Sequence, residues 1–93
     1  MAKKKRRIEF RIFAPEAEKV LLSGSFNEWS ENSDPMKRDE TGTWKKIKML
    51  PRGLYEYKFV IDGIWTLDPN CRDTVPNKYG SQNSALEVSG EGN

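Results

Sequence analysis

Residues 55–65 have the sequence YEYKFVIDGIW, and this stretch decides the fold. Aromatic or aliphatic residues occupy every second position from Tyr55 to Ile61, which is the period of a strand with one buried face. Asp62-Gly63 is a preferred two-residue hairpin turn, and the run Ile64-Trp65-Thr66 follows it directly. The stretch therefore predicts a β-hairpin whose first strand is long.

The rest of the chain predicts further short strands separated by turns. Apolar alternation predicts strands over residues 8–13, 19–23, 44–50 and 85–88, and a short strand starting at Met36-Lys37. Residues 68–82 are rich in proline, asparagine and glycine, which predicts a loop. No segment combines helical periodicity with helix caps. Many short strands at close spacing predict an all-β sandwich.

The strand predicted over residues 44–50 has an irregular pattern. Strict alternation places Ile47 and Met49 on one face and Trp44 and Leu50 on the other. If the first pair faces the core, the second pair cannot. We therefore expect either a β-bulge within this strand or a solvent-exposed Trp44.

Composition limits both the size and the chemistry of the protein. The 93 residues suffice for one domain, and no apolar run approaches the roughly 20 residues of a membrane span. The chain has no histidine and one cysteine, Cys71, which excludes most zinc sites and histidine-based acid–base catalysis. We expect Cys71 to be an ordinary loop thiol. We expect a cytoplasmic protein without a metal or cofactor and without a membrane partner.

The positive charge is concentrated near the amino terminus. The formal net charge is +2, and residues 3–7 have the sequence KKKRR; without them, eleven basic residues face fourteen acidic ones. This run is either a solubilising tail or a phosphate-binding arm. Because the remaining chain is mildly acidic, we favour a disordered basic arm over residues 1–7 and do not expect a nucleic-acid partner. Residues 89–93 are expected to be a frayed tail.

Two of the three tryptophans lie where no strand pattern draws them into a core. Trp29 lies in the polar segment NEWSE, and Trp65 follows the hairpin turn. A flat indole covers the apolar C–H face of a sugar ring, and edge donors then pair with its hydroxyl groups. Lys58 faces away from the apolar side of its strand, and Asn83 begins the last strand. Their alternative roles are a solvated lysine and a turn-capping amide.

Four motifs occur in a fixed order and carry a family resemblance. They are GSFNEW at residues 24–29, YKFVIDGIW at residues 57–65, Asp68-Pro69, and YGSQN at residues 79–83. Together they resemble carbohydrate-binding module family 48, and within it the glycogen-binding domain of AMP-activated protein kinase beta subunits. The resemblance implies an immunoglobulin-like (early-set) β-sandwich over residues 8–88, as in isoamylase amino-terminal domains. It also implies binding of α-1,4-glucans such as glycogen, starch, maltooligosaccharides and cyclodextrin.

The resemblance also implies which residues bind the glucan. The family's two tryptophans, lysine and asparagine fall on four positions, and the loop before that asparagine adds an apolar residue and a hydroxyl. The implied site is Trp29, Lys58, Trp65, Tyr79, Ser81 and Asn83. Tyr79 stands where kinase-type domains have a leucine, and the preceding loop is one residue longer. Because the chain stops at Asn93, we expect a free-standing module or one that works by association.

Catalysis is not expected, and one non-catalytic alternative stays open. Hydrolysis of a glycosidic bond needs two carboxylates, and Asp62 has no evident second one. Asp68 lies in an Asp-Pro step that favours a turn. The alternative is a protein-interaction domain that docks a glucan-metabolising enzyme or a kinase-like partner through a sheet edge.

Overall fold

The computed structural model describes residues 4–89, and its regular structure is almost entirely β-strand. The strands are β1 (Lys5–Phe13), β2 (Val20–Gly24), β3 (Lys37–Arg38), β4 (Thr43–Pro51), β5 (Gly53–Ile61), β6 (Ile64–Thr66), β7 (Thr74–Pro76) and β8 (Gln82–Val88). One 3-10 turn, Ser25–Asn27, follows β2. Across residues 4–89, no helix is long and apolar enough to cross a bilayer.

The strands form two antiparallel sheets. The smaller sheet has the order β1-β4-β3, and the larger has the order β2-β5-β8-β7, with β6 paired to β5. β5 is the centre of the larger sheet because it pairs with β2, β6 and β8. The two sheets pack as a sandwich, which confirms the predicted all-β, immunoglobulin-like fold.

The core lies between the inner faces of the two sheets. Phe59 and Leu22 on the larger sheet are fully buried, and Phe10 and Ile12 on β1 are each 4% exposed. The rings of Phe10 and Tyr57 meet edge to face, with centroids 5.0 Å apart. Full burial of one such side chain contributes about 1.5–3 kcal/mol. The packing fixes which face of β5 points inward and leaves its other face free to carry a site.

Trp44 contradicts the sequence-based expectation for β4. β1 and β4 pair residue by residue over their whole length, so the strand contains no bulge. Trp44 and Leu50 are buried in the core, whereas Ile47 and Met49 are 42% and 52% exposed on the outer face. The buried indole Nε1–H donates to the carbonyl of Ala14 at 2.8 Å. The assumption that Ile47 and Met49 face the core was wrong.

Two lysines share the inward-facing side of β4 because a buried carboxylate pairs with them. Asp34 is 5% exposed, and its oxygens lie 3.1 Å from Lys48 Nζ and 3.7 Å from Lys46 Nζ. Burial raises the pKa of Asp34, but hydrogen bonds from Asn27 and Lys48 and the lysine charges outweigh it, so the net pKa is lowered. This group of charges joins the smaller sheet to the segment that follows β2.

Several element boundaries differ from the sequence-based prediction. β1 begins at Lys5, so residues 5–7 of the predicted disordered arm lie in the sheet, paired with residues 49–51. An edge strand tolerates these charges because its side chains reach solvent. β7 lies within the predicted loop, and β8 begins at Gln82 rather than at residue 85. Residues 1–3 of the arm and 90–93 of the tail lie outside the described residues.

Candidate functional site

The segment that carries Trp29 is organised by the side chain of Asn27. Its Oδ1 accepts hydrogen bonds from the backbone N–H of Gly24 at 3.0 Å and of Ser30 at 3.3 Å. Its Nδ2 donates to the carbonyl of Leu22 at 3.1 Å and to Asp34 Oδ2 at 2.8 Å. One amide therefore joins the end of β2, the turn and the buried carboxylate.

The backbone at Trp29 adopts an uncommon conformation that this network stabilises. Glu28 and Trp29 have φ values of 58° and 57°, in the left-handed region that side chains other than glycine disfavour. The Trp29 N–H donates to the Gly24 carbonyl at 2.8 Å and closes the turn. Gly24 is required because a Cβ there would lie 2.6 Å from the Glu56 carbonyl oxygen. The turn directs the Trp29 indole towards the larger sheet.

Trp65 is positioned by the predicted hairpin. Asp62 and Gly63 have φ values of 49° and 88°, as a tight two-residue turn with both residues in the left-handed region requires. The Asp62 carboxylate accepts hydrogen bonds from the N–H groups of Glu18 and Lys19 at 3.0 and 2.9 Å. Asp62 therefore anchors the turn to a neighbouring loop. Trp65 follows on β6, 40% exposed.

The two indoles lie side by side at the surface of the larger sheet. Their ring centroids are 6.4 Å apart and their planes are inclined by 47°. Trp29 is partly exposed, and both rings line one groove of about 830 Å³. Two inclined planes present a bent apolar surface, which suits a curved ligand better than a flat one.

Polar side chains form the groove wall beside the indoles. Lys58 Nζ donates to Ser81 Oγ at 3.2 Å. Asn83 is 6% exposed; its Oδ1 accepts from Asn77 Nδ2 at 3.0 Å, and its Nδ2 donates to Glu56 Oε1 at 2.9 Å. The orientation of the Asn83 amide is therefore set from both sides.

Tyr79 projects from a loop that Asn77 holds together. Asn77 Oδ1 accepts from the N–H groups of Tyr79 at 2.9 Å and Ser81 at 3.1 Å, and its Nδ2 donates to Ser81 Oγ at 2.9 Å. Tyr79 is 81% exposed, and Lys78 Nζ lies 5.4 Å from its ring centroid. The ring therefore extends the groove from a hydrogen-bonded loop.

All six residues expected from the sequence line this one groove. They are Trp29, Lys58, Trp65, Tyr79, Ser81 and Asn83, and the structure adds Glu56, Pro76, Asn77 and Lys78. Glu56 was missed although it lies two residues before Lys58, on the same face of β5. The other three depend on how the segment before β8 folds over the sheet, which no local pattern indicates.

Residues 8–93 match the family described as the glycogen recognition site of AMP-activated protein kinase. This chain belongs to that family. The match spans most of the chain and includes every residue that lines the groove. The geometry described above is therefore that of a member of a glycogen recognition family.

Several characterised proteins are similar to this family member over part of their own length. It is 39% identical over 82 residues to the chloroplastic protein FLOURY ENDOSPERM 6 of Oryza sativa subsp. japonica, covering 88% of this chain and 15% of that protein. It is 41% identical over 69 residues to 5'-AMP-activated protein kinase subunit beta-1 of Sus scrofa, covering 74% of this chain and 53% of that protein. It is 32% identical over 74 residues to the amyloplastic phosphoglucan phosphatase of Castanea sativa, covering 80% of this chain and 20% of that protein. The chain thus spans about half or less of each relative.

Asp68, the carboxylate of the Asp68-Pro69 motif, supports the fold of this family member through hydrogen bonds outside the groove. Its Oδ2 accepts from the Tyr57 hydroxyl at 2.6 Å and its Oδ1 from the Asn70 N–H at 2.9 Å. Burial and this hydrogen bond raise the pKa of Tyr57 far above its ordinary value. Within residues 4–89, no group of three or more histidine, cysteine, aspartate or glutamate side chains is arranged to hold a metal.

Proposed function

We propose that this chain is a non-catalytic module that binds α-1,4-linked glucan chains in the groove of the larger sheet. The observation that carries the proposal is the pair of exposed indoles, Trp29 and Trp65, with ring centroids 6.4 Å apart and planes inclined by 47°. An α-1,4-glucan curves, so consecutive glucose units present their apolar faces at changing angles. Two rings inclined to each other suit such a curved chain better than two coplanar rings would.

The remaining groove residues supply the polar part of the binding. Each glucose unit has an apolar face and a belt of hydroxyl groups that both donate and accept hydrogen bonds. Lys58 offers an ammonium group, and Ser81 and Asn83 offer a hydroxyl and an amide beside the indoles. Such a shallow groove leaves much of the ligand hydrated. We expect dissociation constants in the micromolar to millimolar range, roughly −8 to −4 kcal/mol.

The arrangement of carboxylates supports binding without hydrolysis. Glycosidases use two carboxylic groups that flank the scissile bond. Asp62 and Asp68 are engaged in structural hydrogen bonds away from the groove. Glu56 is the single carboxylate among the described residues that line the groove. A lone carboxylate cannot provide both the acid and the base or nucleophile.

The relatives support a glucan as the ligand, whereas protein partners and cellular location stay proposals. The family is described as a glycogen recognition site, and one relative is named a phosphoglucan phosphatase. We therefore favour storage glucans, glycogen or starch, as ligands. Association with an enzyme of glucan metabolism or with a kinase, and a cytoplasmic location, stay predictions.

A second candidate function, docking of a partner protein, is favoured by one separate observation. Ile47 and Met49 are 42% and 52% exposed on the outer face of the smaller sheet, on a strand that contributes nothing to the groove. Docking there is compatible with sugar binding. A Trp29→Ala/Trp65→Ala variant that still retains a protein partner separates the two functions.

Isothermal titration with defined sugars tests the proposed function. Maltoheptaose and β-cyclodextrin are titrated into the protein at 50 and 500 mM salt, with the β-1,4-linked cellohexaose as the control. We expect saturable binding of both α-linked sugars, no binding of cellohexaose, and little dependence on salt because the ligands are neutral. Absence of binding at millimolar α-glucan contradicts the proposal. Equal binding of cellohexaose contradicts the α-glucan preference.

A further inference from the structure

We propose that Glu56 is a glucan-contacting residue, in which one carboxylate oxygen fixes Asn83 and the remaining acceptor capacity receives a hydrogen bond from a sugar hydroxyl. This inference rests on the proposed function and names an acceptor for the same groove. Glu56 lies outside the site positions that the motifs indicated, and it is the single carboxylate among the described residues that line the groove.

The position of Glu56 follows from the alternation of β5. Tyr57 and Phe59 are buried in the core, so Glu56 and Lys58 project from the opposite face of the strand. Both side chains line the groove together with the two indoles. The Glu56 backbone is also fixed, because its N–H donates to Ser25 Oγ at 3.1 Å. The carboxylate therefore stands beside Lys58 on a central strand rather than on a mobile loop.

The hydrogen bond to Asn83 uses only part of the carboxylate. Asn83 Nδ2 lies 2.9 Å from Glu56 Oε1. An ionised carboxylate has two oxygens with about four lone-pair sites, so acceptor capacity remains after this bond. The bond also orients the side chain, because Asn83 is itself held by Asn77. An oriented, partly used acceptor in a groove is arranged to receive a donor from a ligand.

The chemistry of the sugar calls for such an acceptor. Lys58 can only donate hydrogen bonds, whereas neighbouring hydroxyl groups on a glucose unit each have a proton to donate. With Lys58 donating to one hydroxyl oxygen, Glu56 on the same strand face can accept from its neighbour. Hydrogen bonds to an ionised carboxylate are stronger than neutral ones. Their loss corresponds to about 10- to 100-fold in the dissociation constant.

Titration of Glu56→Gln and Glu56→Ala with maltoheptaose tests the inference. Glutamine can keep the hydrogen bond from Asn83 through its amide oxygen, but it places an NH₂ donor where the carboxylate had an acceptor. We expect both variants to bind about 10-fold or more weakly than the wild type. Glu9→Gln is the matched control, since it removes the same charge from an exposed position on the smaller sheet. We expect it to bind like the wild type.

Deoxygenated ligands distinguish a contact from a purely structural role. Maltoheptaose analogues lacking either the 2-hydroxyl or the 3-hydroxyl groups are titrated into wild type and Glu56→Gln. A contact predicts that the difference between the two proteins disappears for one analogue. The inference is overturned if Glu56→Gln weakens the binding of every analogue equally, or if it weakens the binding of none. In either case, binding of maltoheptaose by the wild type still supports the proposed function. A wild type that binds no maltoheptaose contradicts the proposed function itself.

Discussion

Replacing Trp65 with alanine removes one of the two indole surfaces, and the structure sets the size of the effect. Trp65 is 40% exposed. For a side chain with roughly 250 Å² of surface, about 100 Å² is open to a ligand. At about 25 cal/mol per Å², full coverage by sugar contributes about 2.5 kcal/mol and half coverage about 1.2 kcal/mol. We expect the dissociation constant for maltoheptaose to rise about 8- to 70-fold.

The assay is isothermal titration with a matched control on the same strand. Ile64 precedes Trp65 on β6 and is 68% exposed, but it does not line the groove. Ile64→Ala should therefore bind maltoheptaose like the wild type. Urea unfolding of both variants checks that the fold is kept. Binding by Trp65→Ala within twofold of the wild type, or an equal loss in Ile64→Ala, refutes the reasoning.

Three further predictions follow from the residues that hold the groove in place. The lowered pKa of Asp34 means that its ionisation stabilises the fold fully above its unfolded pKa of about 3.9, and that this contribution is lost as pH falls through the folded pKa. The urea midpoint should fall from pH 5 to pH 2, less steeply in Asp34→Asn; equal slopes count against the ion pairs. Gly24→Ala should destabilise the protein by about 1–3 kcal/mol in urea unfolding, because the new Cβ would lie 2.6 Å from a backbone oxygen. Gly53→Ala, with its nearest neighbour at 3.5 Å, is the control, and a similar loss there argues against the clash. Asn77 Oδ1 accepts hydrogen bonds from the N–H groups of Tyr79 and Ser81. Asn77→Ala should therefore raise the maltoheptaose dissociation constant about 10-fold and speed amide hydrogen exchange at Tyr79 and Ser81. Unchanged exchange contradicts the positioning role of Asn77.

Local sequence signals predicted the centre of the larger sheet well. The alternation from Tyr55 to Ile61 and the Asp62-Gly63 turn depend only on neighbouring residues, and both appear in β5, β6 and the turn between them. Long, strongly alternating strands and two-residue turns carry their own conformational preference. The hairpin was therefore evident before any tertiary contact was known.

Elements whose stability depends on a distant partner were predicted poorly. β7 exists because Thr74–Pro76 pairs with β8, and residues 5–7 are extended because they pair with β4. These charged or proline-containing segments lack the alternation of apolar and polar residues that would predict a strand. For Trp44, the strand pairs without a bulge, and the assumption that Ile47 and Met49 take the inner face was wrong.

The residues of the candidate site also divide into those that local sequence patterns indicate and those whose role depends on the folded structure. The six residues that the motifs indicated lie around one groove. Asn77 could not be found from the sequence, because its importance comes from hydrogen bonds to Ser81 and Asn83 that exist only in the folded loop. Glu56 could have been found, since strand alternation places it beside Lys58. Binding by any of these residues stays a prediction.

The most direct measurement follows the three indole N–H signals by NMR while maltoheptaose is added. Trp29 and Trp65 line the groove, whereas Trp44 is buried with its Nε1–H bonded to Ala14, which makes it an internal control. We predict that the Trp29 and Trp65 signals shift in a saturable manner with one shared dissociation constant and that the Trp44 signal stays in place. Stationary Trp29 and Trp65 signals at millimolar sugar would contradict the account.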